Sequence, residues 1–191
     1  VILGKKVTPI DRVGICVPGG QAPLISSLLM AGVPAQVAGV GEICVVTPPT
    51  SMGLPHADIL ATAHFLGIDE VYAIGGAQAV AAIAFGTQSV RPVDKIVGPG
   101  SVYTVTAKRQ VYGVVGIEMV PGPSEIVVLA EGSANAAFIA ADLLSQAEHG
   151  TGYEAAVCIT TCSTLAAAVQ DELEQQRKQL PQPEVVDEAL D

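Results

Sequence analysis

The sequence contains no tryptophan and few aromatic residues of any kind, since they make up 4% of its 191 residues. Charged residues are also scarce, at 15%, whereas hydrophobic residues reach 50%. This composition excludes a disordered chain, because disordered chains are rich in charge and poor in apolar residues. The core must be built from small aliphatic side chains, which are typical of buried parallel strands covered by helices.

The sequence has no basic stripe and no aromatic residues interleaved with basic ones. Its formal net charge is −10, and the last 21 residues carry seven acidic and two basic side chains. These features argue against a nucleic-acid partner. No uninterrupted apolar run reaches the roughly 18 residues of a membrane-spanning helix, which predicts no membrane partner. An acidic chain can still bind an anionic cofactor, because helix N-termini bind phosphate groups without lysine or arginine.

The four cysteines, Cys16, Cys44, Cys158 and Cys162, include no C-x-x-C pair. Each lies in an apolar run, which favours reduced, buried side chains over metal ligands or disulfides. Reduced cysteines are typical of the cytoplasm, and we predict a cytoplasmic protein. The chain begins with valine, and we expect it to be a piece of a longer polypeptide without a signal peptide.

Short apolar runs, glycine turns and alanine-rich stretches alternate along the first part of the chain. The predicted strands are 12–18, 42–48, 70–76 and 95–100, and the predicted helices are 22–32, 56–67, 77–86 and 101–113. Three of these helices are predicted to end near Gly32, Gly67 and Gly86. Strand, turn and helix repeated four times predict an α/β fold, an open parallel-sheet Rossmann-like domain with helices on both faces.

The pattern changes after Gly113, and a domain boundary is predicted near 114–123. Two short strands are predicted around a Pro-Gly-Pro turn, and a helix, a strand and a second helix follow them. Their predicted ranges are 116–130 for the two strands, 135–150 for the helix, 154–161 for the strand and 163–180 for the last helix. Asn135 and Ser163 are the predicted N-caps, and Gly150 is a predicted C-cap.

The predicted organisation is a lead-in segment over 1–13, a Rossmann-like NAD-side domain over 14–120 and part of a second α/β domain over 121–191. The second domain contains only the start of a sheet. An incomplete sheet leaves a strand edge and helix faces uncovered. We therefore expect the isolated chain to self-associate or to have a disordered C-terminal end.

Three glycine turns, VPGGQAP, IGGAQA and VGPGS, each follow a predicted strand and open a predicted helix. In an open parallel sheet, ligands bind at the carboxyl ends of the strands, where the strand order reverses. Gln78 and Ser101 lie just inside helix N-termini, where their side chains can hydrogen-bond a ligand. Plain turns and caps remain the alternative, and because G-x-G-x-x-G is absent, the turns alone do not indicate a dinucleotide.

Ser124 follows a rigid turn and precedes a predicted strand. It is not predicted to be a nucleophile, because the sequence has neither a G-x-S-x-G elbow nor an obvious histidine partner for it. We interpret it as a hydrogen-bond donor at a strand start, or as a turn residue.

His56 and His64 share one helix without other ligands at metal spacing, and we interpret them as surface or boundary residues.

The segment SQAEHG, over 145–150, places an amide, a carboxylate and an imidazole within four residues. Gln146 and His149 are three residues apart and share a helix face, whereas Glu148 lies to one side. A helix can offer two metal ligands at this spacing. The alternative is an ordinary helix end, where histidine is favoured by the helix dipole. Glutamine is also a rare zinc ligand, and two ligands are too few for zinc.

Six stretches resemble histidinol dehydrogenase, in the order found in that family: DRVGICVPGG, GGAQAVAAIAFGT, VDKIVGPG, AKRQVYG, VPGPSEIVVLA and AADLLSQAEHG. The resemblance covers nearly the whole chain, which corresponds to about the middle portion of the family's polypeptide. It implies the oxidation of L-histidinol to L-histidine through an aldehyde, with two NAD⁺ and zinc. It also implies a homodimer in which both subunits contribute to each site.

The resemblance also implies roles for particular residues. Gln146 and His149 are implied as zinc ligands, and both are implied, together with Ser124, as substrate contacts. The implied NAD contacts are Cys16, Gln78 and Ser101, where the family commonly has tyrosine at the first position and asparagine at the third.

The family's remaining zinc ligands and its Glu-His acid–base pair match nothing in this chain. We therefore expect the chain to contain no catalytic residue, to be inactive alone and to hold zinc weakly. Two alternatives stay open. One is an NAD- and zinc-dependent dehydrogenase of another amino alcohol or of a sulfonated alcohol, and the other is a nucleotide-binding domain without catalysis.

Overall fold

The computed structural model describes residues 3–19, 23–120, 122, 124–149, 154–180, 183 and 186. The chain divides into two compact units, Val1–Pro121 and Gly122–Asp191. Three expectations lie outside the described residues: the helix start at 22, the cap at Gly150 and the disorder of the C-terminal end.

The first unit is a five-stranded parallel sheet with helices between its strands. Its elements are β1 Arg12–Cys16, α1 Ile25–Val37, β2 Glu42–Thr47, α2 Ala57–Phe65, β3 Glu70–Ala73, α3 Gly76–Phe85, β4 Lys95–Val97, α4 Val102–Val111 and β5 Gly116–Ile117. The strand order is β3-β2-β1-β4-β5, and every pair is parallel. The predicted parallel α/β fold is therefore confirmed. The order reverses between β1 and β4, which makes their carboxyl ends the switch point where ligands bind in such sheets.

Strand β1 is buried along its whole length because helices cover both faces of the sheet. On one face, Ile15 packs with Leu28 of α1 and Ile59 of α2. On the other face, Cys16 packs with Ile83 of α3. The continuous apolar run in β1 thus has the pattern expected for a central parallel strand.

Helix α1 does not end near Gly32, as the sequence predicted, but continues through Pro34 to Val37. Gly32 is buried inside the helix, and a Cβ built there would lie 2.9 Å from Cδ1 of Leu66. This glycine allows close packing of the helix rather than ending it. The predictions at the other two glycines are confirmed, because Gly67 follows the α2 C-cap with φ +67° and Gly86 is the α3 C-cap with φ +78°.

The two strands predicted around the Pro-Gly-Pro turn are both present, but they belong to different sheets. Strand β5 pairs with β4 and adds a fifth strand to the first unit. The next strand pairs within the second unit. The turn therefore connects two sheets and does not form a hairpin.

The second unit is a two-stranded parallel sheet with two helices. Its elements are β6 Glu125–Leu129, α5 Ala136–Ala147, β7 Ala155–Ile159 and α6 Ser163–Arg177. The predicted N-cap Asn135 is confirmed, because its Oδ1 accepts the N–H of Ala137 at 2.9 Å. The prediction for α6 is wrong, because Cys162 occupies the N-cap position and Ser163 is the first helical residue.

The two helices of the second unit cover one face of its sheet. Ile126 and Val128 of β6 pack against buried Ile139 and Leu143 of α5. The alternate residues of β6 point away from this core, and Leu129 is 81% exposed. This apolar face motivates the expectation of self-association, which stays a prediction. In the part of the chain that the structure describes, no helix is long and apolar enough to cross a membrane.

Candidate cofactor cavity and zinc half-site

A cavity of about 230 Å³ lies at the switch point of the first sheet. It is bordered by the residues that follow the carboxyl ends of the strands and by the first turns of α3 and α4. The lining residues are Cys16, Val17, Pro18, Gly19, Val46, Pro48, Gly75, Gly76, Ala79, Pro99, Gly100, Ser101 and Thr104. None of these described residues is charged, so a bound anion would be held by backbone N–H groups and hydroxyls.

The glycines around this cavity allow its walls to pack closely. A Cβ built at Gly19 would lie 2.6 Å from Oγ1 of Thr47, and one at Gly75 would lie 2.5 Å from Cγ of Pro48. Both distances are too short for non-bonded atoms. Substituting either glycine would therefore displace the residues that end β2, and the glycine turns have a structural role in shaping the cavity.

Gly98 directly follows β4 and lies against the end of β1, the other strand of the switch point. Its φ is +105°, and a Cβ built on it would lie 2.2 Å from the carbonyl oxygen of Cys16. Only glycine fits a backbone that combines this dihedral angle with so close an approach. The path of the chain from β4 to α4 therefore depends on Gly98.

An ion pair between a buried lysine and an exposed glutamate supports the turn after β4. Lys108 of α4 is 1% exposed, and its Nζ donates to the carbonyl of Gly98 at 3.0 Å. The same Nζ lies 2.5 Å from Oε1 of Glu118, which also accepts the N–H of Gly98 at 3.0 Å. Both backbone groups of Gly98 are thus paired with charged side chains, which holds the turn next to the cavity.

Cys16 lines the cavity with a thiol that is mostly buried. The residue is 5% exposed, and burial raises its pKa to about 12. Its thiol is therefore protonated at neutral pH and can offer a ligand only a weak hydrogen bond.

All four cysteines are unpaired, but only Cys16 and Cys44 are buried, so the prediction of burial is wrong for the half-buried Cys158 and Cys162.

Alkylation by iodoacetamide should separate these thiols, because the thiolate is the reactive form. At pH 8 only about one Cys16 thiol in 10⁴ is ionised, given a pKa near 12. The pKa of Cys162 is instead lowered by the hydroxyl of Thr164 and by backbone N–H groups. We expect mass spectrometry of the native full-length protein to find Cys162 alkylated well before Cys16. Equal rates for the two in the native protein, and not only in guanidinium, would contradict this assignment.

The cavity brings together two of the three predicted cofactor contacts. Ser101 is the N-cap of α4, but its side chain makes no capping bond, so its hydroxyl is available where the residue borders the cavity. Gln78 is exposed in the first turn of α3 and does not border the cavity. Its amide lies over Gly76, where a Cβ would be 3.1 Å from the Gln78 oxygen.

The second unit brings Ser124 and Gln146 together. Nε2 of Gln146, in the last turn of α5, donates to the carbonyl of Ser124 at 3.0 Å, just before β6. A carbonyl only accepts hydrogen bonds, so this contact assigns the NH₂ group of the amide to Ser124. The amide oxygen, Oε1, is consequently directed elsewhere and is available as a metal ligand.

His149 lies beyond α5 and not in its last helical turn, because the helix ends at Ala147 and Glu148 is the C-cap. His149 nevertheless stays one turn from Gln146, because its N–H donates to the carbonyl of Gln146 at 3.3 Å. Nδ1 of His149 lies 3.2 Å from the carbonyl oxygen of Ser145. A hydrogen bond to that oxygen requires the proton on Nδ1, which leaves Nε2 of the neutral ring with a free lone pair.

These two side chains have the donor set of half a zinc site. Each uses one polar atom to bond a backbone carbonyl, and each leaves the metal-binding atom free, as the outer contacts of metal ligands usually do. In the described ranges, no group of three or more His, Cys, Asp or Glu residues is close enough to hold a metal ion. The residues fit zinc, but they can supply only two of its ligands.

Sequence reasoning missed Gly98, Thr104 and the Lys108–Glu118 pair. Thr104 is one helical turn after Ser101, a spacing that could have indicated a shared face. The lysine lies in the polar run KRQ, over 108–110, which suggests an exposed helix face. Its burial depends on a carboxylate ten residues further along the chain, and no local pattern marks such a pair.

The comparisons with known proteins agree on one family. The family model for histidinol dehydrogenase matches residues 1–191. The histidinol dehydrogenase of Bacillus cereus is 52% identical over 191 residues, which is 100% of this chain and 44% of that protein. That of Geobacillus kaustophilus is 53% identical over 190 residues, which is 100% of this chain and 45% of that protein.

The crystal structure of histidinol dehydrogenase from Elizabethkingia anophelis is similar at a TM-score of 0.90 and 43% identity. The match covers 96% of this chain and 42% of that one. The chain therefore spans less than half the length of the relatives that it matches. On the match over its whole length and the similarity of its fold, the chain belongs to the histidinol dehydrogenase family.

Proposed function

We propose that the full-length protein containing this chain is an NAD- and zinc-dependent histidinol dehydrogenase. It would oxidise L-histidinol to L-histidine through the aldehyde, in the last steps of histidine biosynthesis. The first step passes one hydride to NAD⁺ and releases one proton. The second step adds water, which supplies the second carboxylate oxygen, passes one hydride to another NAD⁺ and releases two protons. The family membership supports this reaction, and the residues of the two units support a division of roles between them.

The observation that carries the proposal is the hydrogen bond from Gln146 to the carbonyl of Ser124. It joins two residues that the family resemblance assigns to the same substrate and metal site. It also turns the amide oxygen outward, as a neutral zinc ligand requires. An ordinary helix end needs no such contact, because a solvent-exposed amide is satisfied by water.

Zinc would be held in this chain by Oε1 of Gln146 and Nε2 of His149. When bound, zinc supplies a Lewis acid that holds the imidazole and amine of histidinol. Ser124 lies next to Gln146, where its hydroxyl can hydrogen-bond the substrate. The chain's own residues thus bind and orient, and the groups that take protons from the substrate would lie in the rest of the polypeptide.

NAD⁺ would bind at the switch-point cavity of the first unit. Two helix N-termini border this cavity without any charged side chain, an arrangement suited to a phosphate-bearing ligand. Ser101 and Cys16 line it and would contact the cofactor, the thiol only as a weak donor. Gln78 would contact a part of the cofactor that extends beyond the cavity.

A turnover assay of the full-length protein tests the proposal. We expect L-histidinol and NAD⁺ to yield two NADH per histidinol oxidised, whereas the 191-residue chain alone yields none. Other amino alcohols and sulfonated alcohols are the control substrates. Turnover of one of these but not of histidinol would favour the related-dehydrogenase alternative. Binding of NAD⁺ without turnover of any alcohol by the full-length protein would favour a non-catalytic domain.

The family resemblance also suggests a homodimer in which both subunits contribute to each site. The assay concentration can be varied to test this, because activity that needs the dimer falls steeply on dilution below the dissociation constant. The cytoplasmic location stays a prediction from the unpaired cysteines.

A further inference from the structure

We propose that Thr104 binds a phosphate group of the cofactor through its hydroxyl. The inference rests on the proposed function, because it assumes that the switch-point cavity takes NAD⁺. Thr104 lies one helical turn after Ser101 in α4, and the family resemblance does not assign it to the cofactor.

The Thr104 hydroxyl has no protein partner in the described part of the chain. A threonine inside a helix ordinarily donates to the carbonyl three or four residues earlier, which here would be Ser101 or Gly100. Neither bond is present. The residue is only 6% exposed, so its hydroxyl has little access to bulk water. A buried hydroxyl without a partner is costly and calls for an explanation.

Thr104 is one of the residues that line the cavity. Thr104 borders the cavity together with Gly100 and Ser101. Among the described residues, Oγ1 of Thr47 is fully enclosed and has no hydrogen-bond partner. Oγ1 of Thr104 also has no partner, but it is not fully enclosed. The Thr104 oxygen therefore keeps a small open surface, and since Thr104 lines the cavity, we infer that this surface faces it.

The absence of a side chain at Gly100 provides the space that Thr104 occupies. A Cβ built at Gly100 would lie 2.5 Å from Cγ2 and 2.9 Å from Oγ1 of Thr104. The threonine thus packs directly against the backbone of the turn that opens α4. Its hydroxyl is held in place by this packing and would lose little entropy when a ligand binds.

The surroundings of this hydroxyl favour an anionic oxygen as its partner. The ten-residue helices α3 and α4 both begin at the cavity, with N-caps Gly75 and Ser101, and the Ser101 side chain makes no capping bond. Their first N–H groups and positive dipole ends favour negative charge. Since the lining contains no lysine or arginine, a phosphate there must be held by N–H and hydroxyl donors, and Thr104 is one of them.

Calorimetric titration of the full-length protein with NAD⁺ tests the proposal. We expect Thr104→Val, which keeps the shape and removes the hydroxyl, to raise the Kd for NAD⁺ about 10- to 100-fold. Thr104→Ser keeps the hydroxyl and should stay within about threefold of the wild type. Thr106→Val, at an exposed position of the same helix, is the matched control and should leave the Kd unchanged.

Competition with ADP and adenosine identifies the group that Thr104 binds. Thr104→Val should weaken the competition by ADP and leave that by adenosine unchanged. Without ligand, the same variant should melt at or above the wild-type Tm, because it loses a buried unpaired hydroxyl. An unchanged Kd for NAD⁺ would overturn the proposal, as would equal losses for ADP and adenosine. A wild-type protein that binds no NAD⁺ would instead overturn the proposed function, and this inference with it.

Discussion

Replacing His149 with asparagine in the full-length protein is expected to remove most of the bound zinc and to lower kcat by about a thousandfold. The physical reason is that Nε2 of His149 is one of the two zinc ligands that we propose in the described part of the chain. A Lewis acid that polarises or holds a reacting substrate is worth several kcal/mol, and about 4 kcal/mol corresponds to three powers of ten in rate. Because His149 is exposed, its substitution should leave the free energy of unfolding of the zinc-free protein nearly unchanged.

The matched control for this substitution is Glu148→Gln. Glu148 is adjacent to His149, is exposed and forms the C-cap of α5, but it is not assigned to the metal. Zinc content measured by plasma mass spectrometry, together with the rate of NADH formation, should fall for His149→Asn and stay near the wild type for the control. A His149→Asn protein with full zinc and full kcat would show that SQAEHG is an ordinary helix end.

Gly98→Ala is expected to destabilise the full-length protein by about 2–6 kcal/mol. Two costs contribute. A residue with a Cβ is strained by about 1–3 kcal/mol at a φ of +105°. The added carbon would also lie 2.2 Å from the Cys16 carbonyl oxygen, and relieving such overpacking costs a further 1–3 kcal/mol or so. The binding of NAD⁺ should weaken too, because the turn that Gly98 begins leads into the cavity.

Gly113→Ala separates these two costs. Gly113 has a φ of +100°, close to that of Gly98, but a Cβ built there meets no atom within 4 Å. Denaturant unfolding should therefore show a smaller loss for Gly113→Ala than for Gly98→Ala, of about 1–3 kcal/mol from backbone strain alone. Similar losses for both variants would mean that the contact between Gly98 and Cys16 is not a constraint on the fold.

The parallel sheet could be predicted because its signals are local. A strand such as RVGIC, buried on both faces, has an uninterrupted apolar run after its arginine, and Gly67 and Gly86 mark the ends of α2 and α3. Asn135 was likewise predictable as an N-cap, because its contact with Ala137 spans two residues. In each case the physical cause lies within a few positions of its effect.

Contacts between distant segments account for what the sequence did not predict. Gly32 was predicted to end α1, but it instead allows the helix to pack closely beside Leu66, which is more than thirty residues away in the sequence. The buried state of Lys108 depends on Glu118 and on the carbonyl of Gly98. A short pattern cannot show which side chain will be enclosed when two such segments meet.

The candidate metal site was predicted at the level of residues but not of atoms. Spacing placed Gln146 and His149 on one side of the chain, yet it could not show which atom of each side chain is free. The carbonyls of Ser124 and Ser145 decide this, because each takes one polar atom of the pair and leaves Oε1 and Nε2 for a metal. The orientation of a ligand thus depends on backbone groups that carry no sequence signature.

The most direct test of the account is the anomalous diffraction of zinc in a crystal of the full-length protein, at a resolution that places side-chain atoms. We predict a zinc peak about 2.0–2.2 Å from both Oε1 of Gln146 and Nε2 of His149, with the Gln146 NH₂ group still donating to the Ser124 carbonyl. A zinc peak that touches neither side chain would contradict the account, and so would a Gln146 amide turned with its nitrogen away from Ser124.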